Sequence, residues 1–124
     1  MNWFSMNLLL RLEGAAYAVA ASLLYWQLGF SWWFFTWVSL VPDLSMLGYL
    51  ASPRSGAIAY NVAHATLLPW ALLLIGYFSG NTLILSIALI WFAHIGTDRA
   101  LGFGLKYLSG FKDTHLGRAD FSIK

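Results

Sequence analysis

Four long apolar segments, separated only by short turns, constrain this chain more than any other feature. The segments are residues 6–28, 32–51, 57–78 and about 82–108. Each is long enough to cross a hydrocarbon layer of about 30 Å as a helix. The turns between them hold residues that stop helices, such as Gly29 and Pro53. Because a backbone in lipid must satisfy its own hydrogen bonds, the sequence predicts an all-α polytopic membrane protein.

The short turns also predict how the helices are arranged. Neighbouring helices joined by short turns run antiparallel, which gives one bundle of four transmembrane helices with both termini on the same side. All seven Lys and Arg lie on the side of the termini or in the loop around Pro53, and the two opposite turns carry no charge. The positive-inside rule makes the charged side cytoplasmic. We therefore predict a transmembrane domain over residues 1–108 and a polar tail over residues 109–124 at the cytoplasmic interface.

The composition narrows the classes of function. Hydrophobic residues make up 60% of the chain and charged residues 10%, against about a quarter charged in an average soluble domain. The net charge is only +2 and the basic residues are scattered, so we expect membrane lipids as partners and no nucleic acid. The chain has no cysteine, which excludes thiolate metal sites and a Cys nucleophile.

Polar residues inside the apolar segments are the candidates for chemistry. Each costs several kcal/mol in hydrocarbon unless it is paired, so such residues usually face the interior of a bundle. When depth is counted at 1.5 Å per residue, the polar residues of all four segments lie within about 12 Å of the cytoplasmic face. They are Glu13, Asp43, Asn61, His64, His94 and Asp98. His94 and Asp98 are four residues apart, so both lie on one face of a helix.

The two histidines and two aspartates predict a metal site. Imidazole nitrogen and carboxylate oxygen are the donors that zinc, iron or manganese take. We predict first that Asp43, His64, His94 and Asp98 bind one divalent metal. The alternative is a hydrogen-bonded and salt-bridged cluster that only fixes the register of the helices.

Two further polar residues complete a hypothetical catalytic site. Glu13 is predicted as a general base and Arg99 as a partner for a phosphate or an oxyanion. Arg99 follows Asp98 directly and points about 100° away from it on a helix. The resulting hypothesis is a hydrolase that acts on a lipid-linked substrate.

A face of small residues supports a different class of function. Gly96, Ala100 and Gly104 repeat every four residues, a spacing that lets a second helix approach closely. With the aromatic-rich second segment, this face predicts a non-catalytic accessory or assembly subunit, in a homo-oligomer or a larger membrane complex. A proton or ion pathway built from the same acids and imidazoles is a third hypothesis.

Three stretches of the chain carry a resemblance to a known family. They are LVPDLSMLGYL at 40–50, YNVAHATLLPW at 60–70 and HIGTDRALGFGLKYLSGFKDTHLG at 94–117. Together they resemble the short bacterial membrane proteins grouped as domain of unknown function 4260, over nearly the whole chain. The resemblance implies a small multi-span protein of the bacterial inner membrane, and it implies no established activity.

A looser similarity is to inner-membrane metal-dependent hydrolases. Those proteins pair a Pro-Asp-Leu element with downstream His and Thr-His elements. The matching elements here are Pro42-Asp43-Leu44, His64, His94 and Thr114-His115. That similarity implies metal binding, although Ser45 and Met46 stand where those proteins usually have a second Asp.

Overall fold

The computed structural model describes residues 3–103, 113–114 and 117–118, and it is helical apart from one small strand pair. The helices are α1 Trp3–Leu28, α2 Trp32–Ser39, a 3-10 helix Val41–Leu50, α3 Pro53–His64, α4 Leu67–Ser79 and α5 Thr82–Ala100. Strands β1 Asp113–Thr114 and β2 Gly117–Arg118 pair antiparallel. The helical fold class is confirmed. Most of the tail predicted over residues 109–124 lies outside the described residues.

Three helical stretches are long and apolar enough to cross a membrane. They are Ser5–Leu28, Pro53–Ser79, which comprises α3 and α4, and Thr82–Ala100. The second segment predicted from the sequence, residues 32–51, is divided between α2 and the 3-10 helix, so neither part reaches that length alone. The structure thus confirms apolar helices of spanning length for three of the four predicted segments.

Two prolines divide the second and third segments. Pro42 has no N–H to give to the preceding turn, and the chain continues after it as a 3-10 helix rather than an α-helix. Pro69 likewise leaves the carbonyl of Ala65 without its helical donor, and Ala65 is extended between α3 and α4. Each break lies next to a predicted ligand, because Asp43 follows Pro42 and His64 is the last residue of α3.

Helix α5 is the centre of the fold. It packs on α1, α4 and α2, whereas α3 packs on the 3-10 helix. The buried core joins two helices, with Ala21 and Tyr25 from α1 and Leu89, Ile90, Phe92 and Ala93 from α5. One side of α5 therefore contributes to the apolar core, and the polar residues of α5 lie on another side of the helix.

The close helix contact predicted for Gly96 is confirmed, and the contacting helix belongs to the same chain. A Cβ added to Gly96 would meet the carbonyl of Gly14 and lie 2.7 Å from the amide nitrogen of Ala18, both in α1. A Cβ at Gly14 would lie 3.0 Å from the amide nitrogen of Ala100. Gly104, the third residue of the predicted face, lies outside the described residues.

Helix α5 ends earlier than the sequence predicts. The predicted segment runs to residue 108, whereas the helix ends at Ala100 because Gly102 adopts a left-handed φ of 98°. The amide of Gly102 donates to the carbonyl of Arg99 at 3.0 Å, and that of Phe103 donates to the carbonyl of Asp98 at 2.8 Å. These two bonds form a Schellman motif, which fixes the backbone of Asp98 in the last turn.

Candidate metal centre

Four side chains from three elements converge on one point. Asp43 is in the first turn of the 3-10 helix, His64 ends α3, and His94 and Asp98 are one turn apart on α5. Each offers one ligand atom, and these four atoms all lie within 4.8 Å of one another. The four residues that the sequence predicts as a set are therefore brought together.

Five of the six distances between the ligand atoms are short and similar. Nε2 of His64 lies 3.2 Å from Oδ1 of Asp43 and 3.5 Å from Oδ2 of Asp98. Nε2 of His94 lies 3.2 Å from each of the same two oxygens. The two Nε2 atoms are themselves 3.2 Å apart. Four donors around a tetrahedral zinc ion, at about 2.0–2.1 Å from it, lie roughly 3.3–3.4 Å from one another, so these five distances fit such an ion.

A hydrogen bond of Nδ1 fixes the orientation of the His64 ring. Nδ1 of His64 lies 2.9 Å from the carbonyl of Tyr60, which can only accept, so Nδ1 carries the proton and donates it. In a neutral imidazole this leaves the lone pair of Nε2 directed at the other three ligand atoms. The ring of Tyr60 also stacks on that of His64, with 3.8 Å between ring centroids. A histidine held in this way matches the usual support of a metal ligand.

The contacts are hard to explain as separate hydrogen-bonded pairs. Nε2 of His64 has three close neighbours, and even in a protonated imidazole its single N–H can point at only one of them. Two of those neighbours are carboxylate oxygens and the third is the Nε2 of His94. The group therefore combines two carboxylates with two nitrogens that face each other, an arrangement in which a central cation would contact all four.

The site is closed on the histidine side and open on the aspartate side. His64 is buried, whereas the side chain of Asp43 is 43% exposed and that of Asp98 is 23% exposed. Zinc sites built from histidine and carboxylate donors with access to solvent are typical of catalysis, and cysteine-rich sites are typical of structural support. The donor set fits zinc, manganese or iron(II).

The two residues predicted as catalytic occupy different places. The side chain of Glu13 is exposed on α1 and lines a separate open pocket with Tyr17, so the structure does not bring it into the ligand group. Arg99 follows Asp98 in the last turn of α5 and is partly buried. Its Cβ faces the backbone of Gly14 in α1.

Two aromatic residues next to the ligands were not predicted in their observed roles. In the structure Tyr60 stacks on His64, and the indole N–H of Trp91 donates to the carbonyl of Ala63 at the end of α3. The sequence spacing could have placed Trp91 near the ligands, because Trp91 precedes His94 by three residues and therefore lies on the same face of α5. His115, of the Thr-His element, lies outside the described residues.

The fold and the site together define a helical protein with apolar helices of membrane-spanning length and a two-histidine, two-aspartate group at two helix breaks. The model of one family matches residues 7–119, and its description is domain of unknown function (DUF4260). The chain belongs to this family, as the resemblance of its three stretches predicts. No curated protein and no solved structure matches the chain.

Proposed function

We propose that this chain is an integral membrane protein that binds one divalent cation of the zinc class and hydrolyses an ester bond in an amphiphilic molecule. The observation that carries the proposal is the convergence of four ligand atoms within 4.8 Å from three separate elements. Asp43, His64, His94 and Asp98 are the proposed ligands.

The proposed protein crosses the bacterial inner membrane four times, with both termini in the cytoplasm. Three crossings are the apolar stretches of spanning length. The fourth is α2 followed by the 3-10 helix, which together cover roughly 30 Å at 1.5 and 2.0 Å per residue. Arg54 and Arg99 then lie on the cytoplasmic side, at the start of α3 and at the end of α5. The metal centre lies near the same side.

The ion and the surrounding side chains have different roles in the proposed hydrolysis. A zinc-class ion lowers the pKa of water and so supplies a nucleophile at neutral pH. The half-exposed Asp43 leaves an approach to the site for water and for the ester. Arg99, the residue after the ligand Asp98, is proposed to stabilise the negative charge that develops on the ester oxygen. The proposal gives Glu13 no general-base role, because its side chain lies on the exposed face of α1.

The reaction consumes one water molecule. Its oxygen bonds to the carbonyl carbon of the ester, and the bond between that carbon and the alcohol oxygen breaks. One proton of the water goes to the departing alcohol, and the other leaves with the carboxylic acid. The four ligands and Arg99 bind and orient, and none of them forms a covalent intermediate.

Metal analysis of the purified protein tests the proposal. We expect about one zinc, manganese or iron ion per chain in wild type and none in His94→Ala, since loss of one of four donors opens the site. Glu13→Gln is the matched control: it removes a carboxylate outside the ligand group, so its metal content should equal that of wild type. Wild-type protein without stoichiometric metal, or His94→Ala with an unchanged content, would overturn the proposal.

A micelle assay with 4-nitrophenyl decanoate tests the reaction itself. We expect release of 4-nitrophenol by the metal-loaded protein and loss of that release after chelation, with recovery when the metal is returned. Hydrolysis that continues unchanged in the chelated protein would exclude a role for the ion in catalysis.

A further inference from the structure

A cavity of about 220 Å³ lies next to the candidate metal centre. Its wall includes Pro42, Ala63 and Trp91, which precede the ligands Asp43, His64 and His94 by one, one and three residues. Val38, Val41 and Ile87 form the rest of the apolar wall. The cavity and the ligand group therefore share the same three elements.

Helix α5 connects the two sites directly. Ile87, Trp91, His94 and Asp98 are spaced by four, three and four residues, so they form one stripe along the helix. The stripe is apolar where it lines the cavity and polar where it supplies ligands. A molecule that lies along this stripe meets hydrocarbon contacts at one end and the metal centre at the other.

One wall residue lacks a protein partner. The hydroxyl oxygen of Ser45 is buried and makes no hydrogen bond to any part of the chain that the structure describes. Leaving a buried hydroxyl unsatisfied costs about 1–3 kcal/mol, so a polar atom inside the cavity would stabilise it. The occupant is therefore expected to be apolar with a hydrogen-bonding atom at one point.

The outer edge of the cavity indicates where the occupant comes from. Val41 is 56% exposed, and its neighbours Leu40 and Leu44 are also largely exposed. In a protein that spans a bilayer these side chains contact lipid, so the cavity adjoins the hydrocarbon layer rather than water. Its volume exceeds the roughly 150 Å³ of an apolar protein cavity that holds benzene, which leaves room for a short length of alkyl chain.

We propose that this cavity binds the part of an acyl chain nearest to an ester, and that the Ser45 hydroxyl donates a hydrogen bond to an oxygen of that ester. The substrate class is thus an acyl ester that enters sideways from the membrane, with its ester beside the four metal ligands. This inference rests on the proposed function, because an ester is assigned to this position only if the metal centre beside it hydrolyses esters.

Photolabelling of the zinc-loaded protein tests the inference. The probe is a fatty acid ethyl ester with a diazirine on an acyl carbon close to the ester, and the labelled residues are mapped by mass spectrometry. We expect labels on the cavity wall, in peptides that contain Val41, Ala63 or Ile87. Labels spread evenly over the exposed apolar surface would overturn the inference.

Variants that fill the cavity separate specific from general labelling. Ala63→Leu should lower labelling of the wall about tenfold, the effect of removing about two methylene groups from apolar contact. Ile87→Trp fills the cavity from α5, two turns away from His94, and should have the same effect even if Ala63→Leu disturbs α3. Ala71→Leu, an exposed position on α4, is the matched control and should label like wild type.

Zinc content measured in the same samples distinguishes the two proposals. Normal zinc with scattered labelling, or with labelling indifferent to both cavity-filling variants, would overturn the inference and leave the proposed function standing. Absence of zinc from wild type would overturn the proposed function, and with it the assignment of the occupant as a substrate. Ser45→Ala should reduce labelling by the ethyl ester more than labelling by a diazirine alkane of equal length, and an equal reduction would contradict the hydrogen bond.

Discussion

The two sides of α5 are held by different kinds of contact. Towards α1 the contact is close and apolar, with Gly96 against the backbone of Gly14 and the ring of Tyr17 stacked on that of Phe92. Towards the 3-10 helix and α3 the contact consists of polar side chains, with His94 and Asp98 facing Asp43 and His64. We call these the glycine contact and the ligand contact.

The difference lies in what each contact needs from outside the chain. The glycine contact is complete in itself, because dispersion between closely packed atoms needs no further partner. The ligand contact brings together two carboxylates and two imidazoles, and the proposed ion would supply positive charge between them. Under the proposed function, one helix thus joins a part of the molecule whose stability is fixed by its sequence to a part whose stability would depend on an ion.

Chelation should produce the largest difference between the two contacts. Zinc at about 100 times its Kd stabilises the bound form by about 2.7 kcal/mol, so its removal should speed amide exchange in the 3-10 helix and α3 by up to about a hundredfold. Amides of α1 around Tyr25 and of α5 around Ile90 should change little, because they belong to the apolar core. Hydrogen–deuterium exchange with and without chelator measures both, and an equal change in the two regions would contradict the distinction.

Gly96→Leu should break the glycine contact alone. The new side chain meets the backbone of Gly14 and Ala18, and overpacking of this kind costs about 1–3 kcal/mol. Thermal unfolding in detergent measures the loss, and Ala71→Leu on the exposed face of α4 is the control for a general effect of added leucine. Zinc content should remain that of wild type, so a loss of zinc in Gly96→Leu would show that the two contacts are not separable.

Tyr60→Leu should weaken the ligand contact without removing a ligand. The substitution keeps the backbone carbonyl that accepts from His64 but removes the ring stacked on the imidazole. Loss of such support raises the Kd for a metal by roughly tenfold. Zinc titration against a competing chelator measures the change. Tyr60→Phe keeps the stacking and should bind like wild type, so equal effects of both variants would assign the role to the hydroxyl instead.

Trp91→Phe should give the smallest effect. It deletes the hydrogen bond from the indole to the carbonyl of Ala63 while keeping an aromatic ring on the cavity wall. One such bond contributes about 1 kcal/mol, which thermal unfolding of the zinc-loaded protein can detect. Trp70→Phe on α4 is the matched control, and a larger effect there than at position 91 would contradict the importance of the bond at the helix break.

The sequence predicted the ligand set because depth could be counted along each segment. Asp43, His64, His94 and Asp98 were placed at one height by residue number alone, and the structure brings them together. The same count placed Glu13 at that depth in the membrane. Depth alone does not determine the direction in which a side chain points around the helix axis. The direction of α1 is set by Gly14, which must face Gly96, and the adjacent Glu13 is then turned by about 100°.

The helix breaks were harder to predict than the helices. Pro42 and Pro69 mark where an α-helix loses a hydrogen bond, but they do not determine what replaces it. A 3-10 helix of 10 residues after Pro42 is longer than such helices usually are, and no pattern in VPDLSMLGYL favours it over a kinked α-helix. The 3-10 helix packs against α3, a contact between segments that local sequence does not encode.

The position of His64 at the very end of α3 has a consequence for how this molecule assembles. The pair formed by α3 and the 3-10 helix carries half of the donors, and α5 carries the other half on a helix already packed against α1 and α4. Under the proposed function, joining the halves without an ion would press the carboxylates of Asp43 and Asp98 together, so we expect the ion to be bound when the halves join. The supply of that metal would then limit the yield of folded protein.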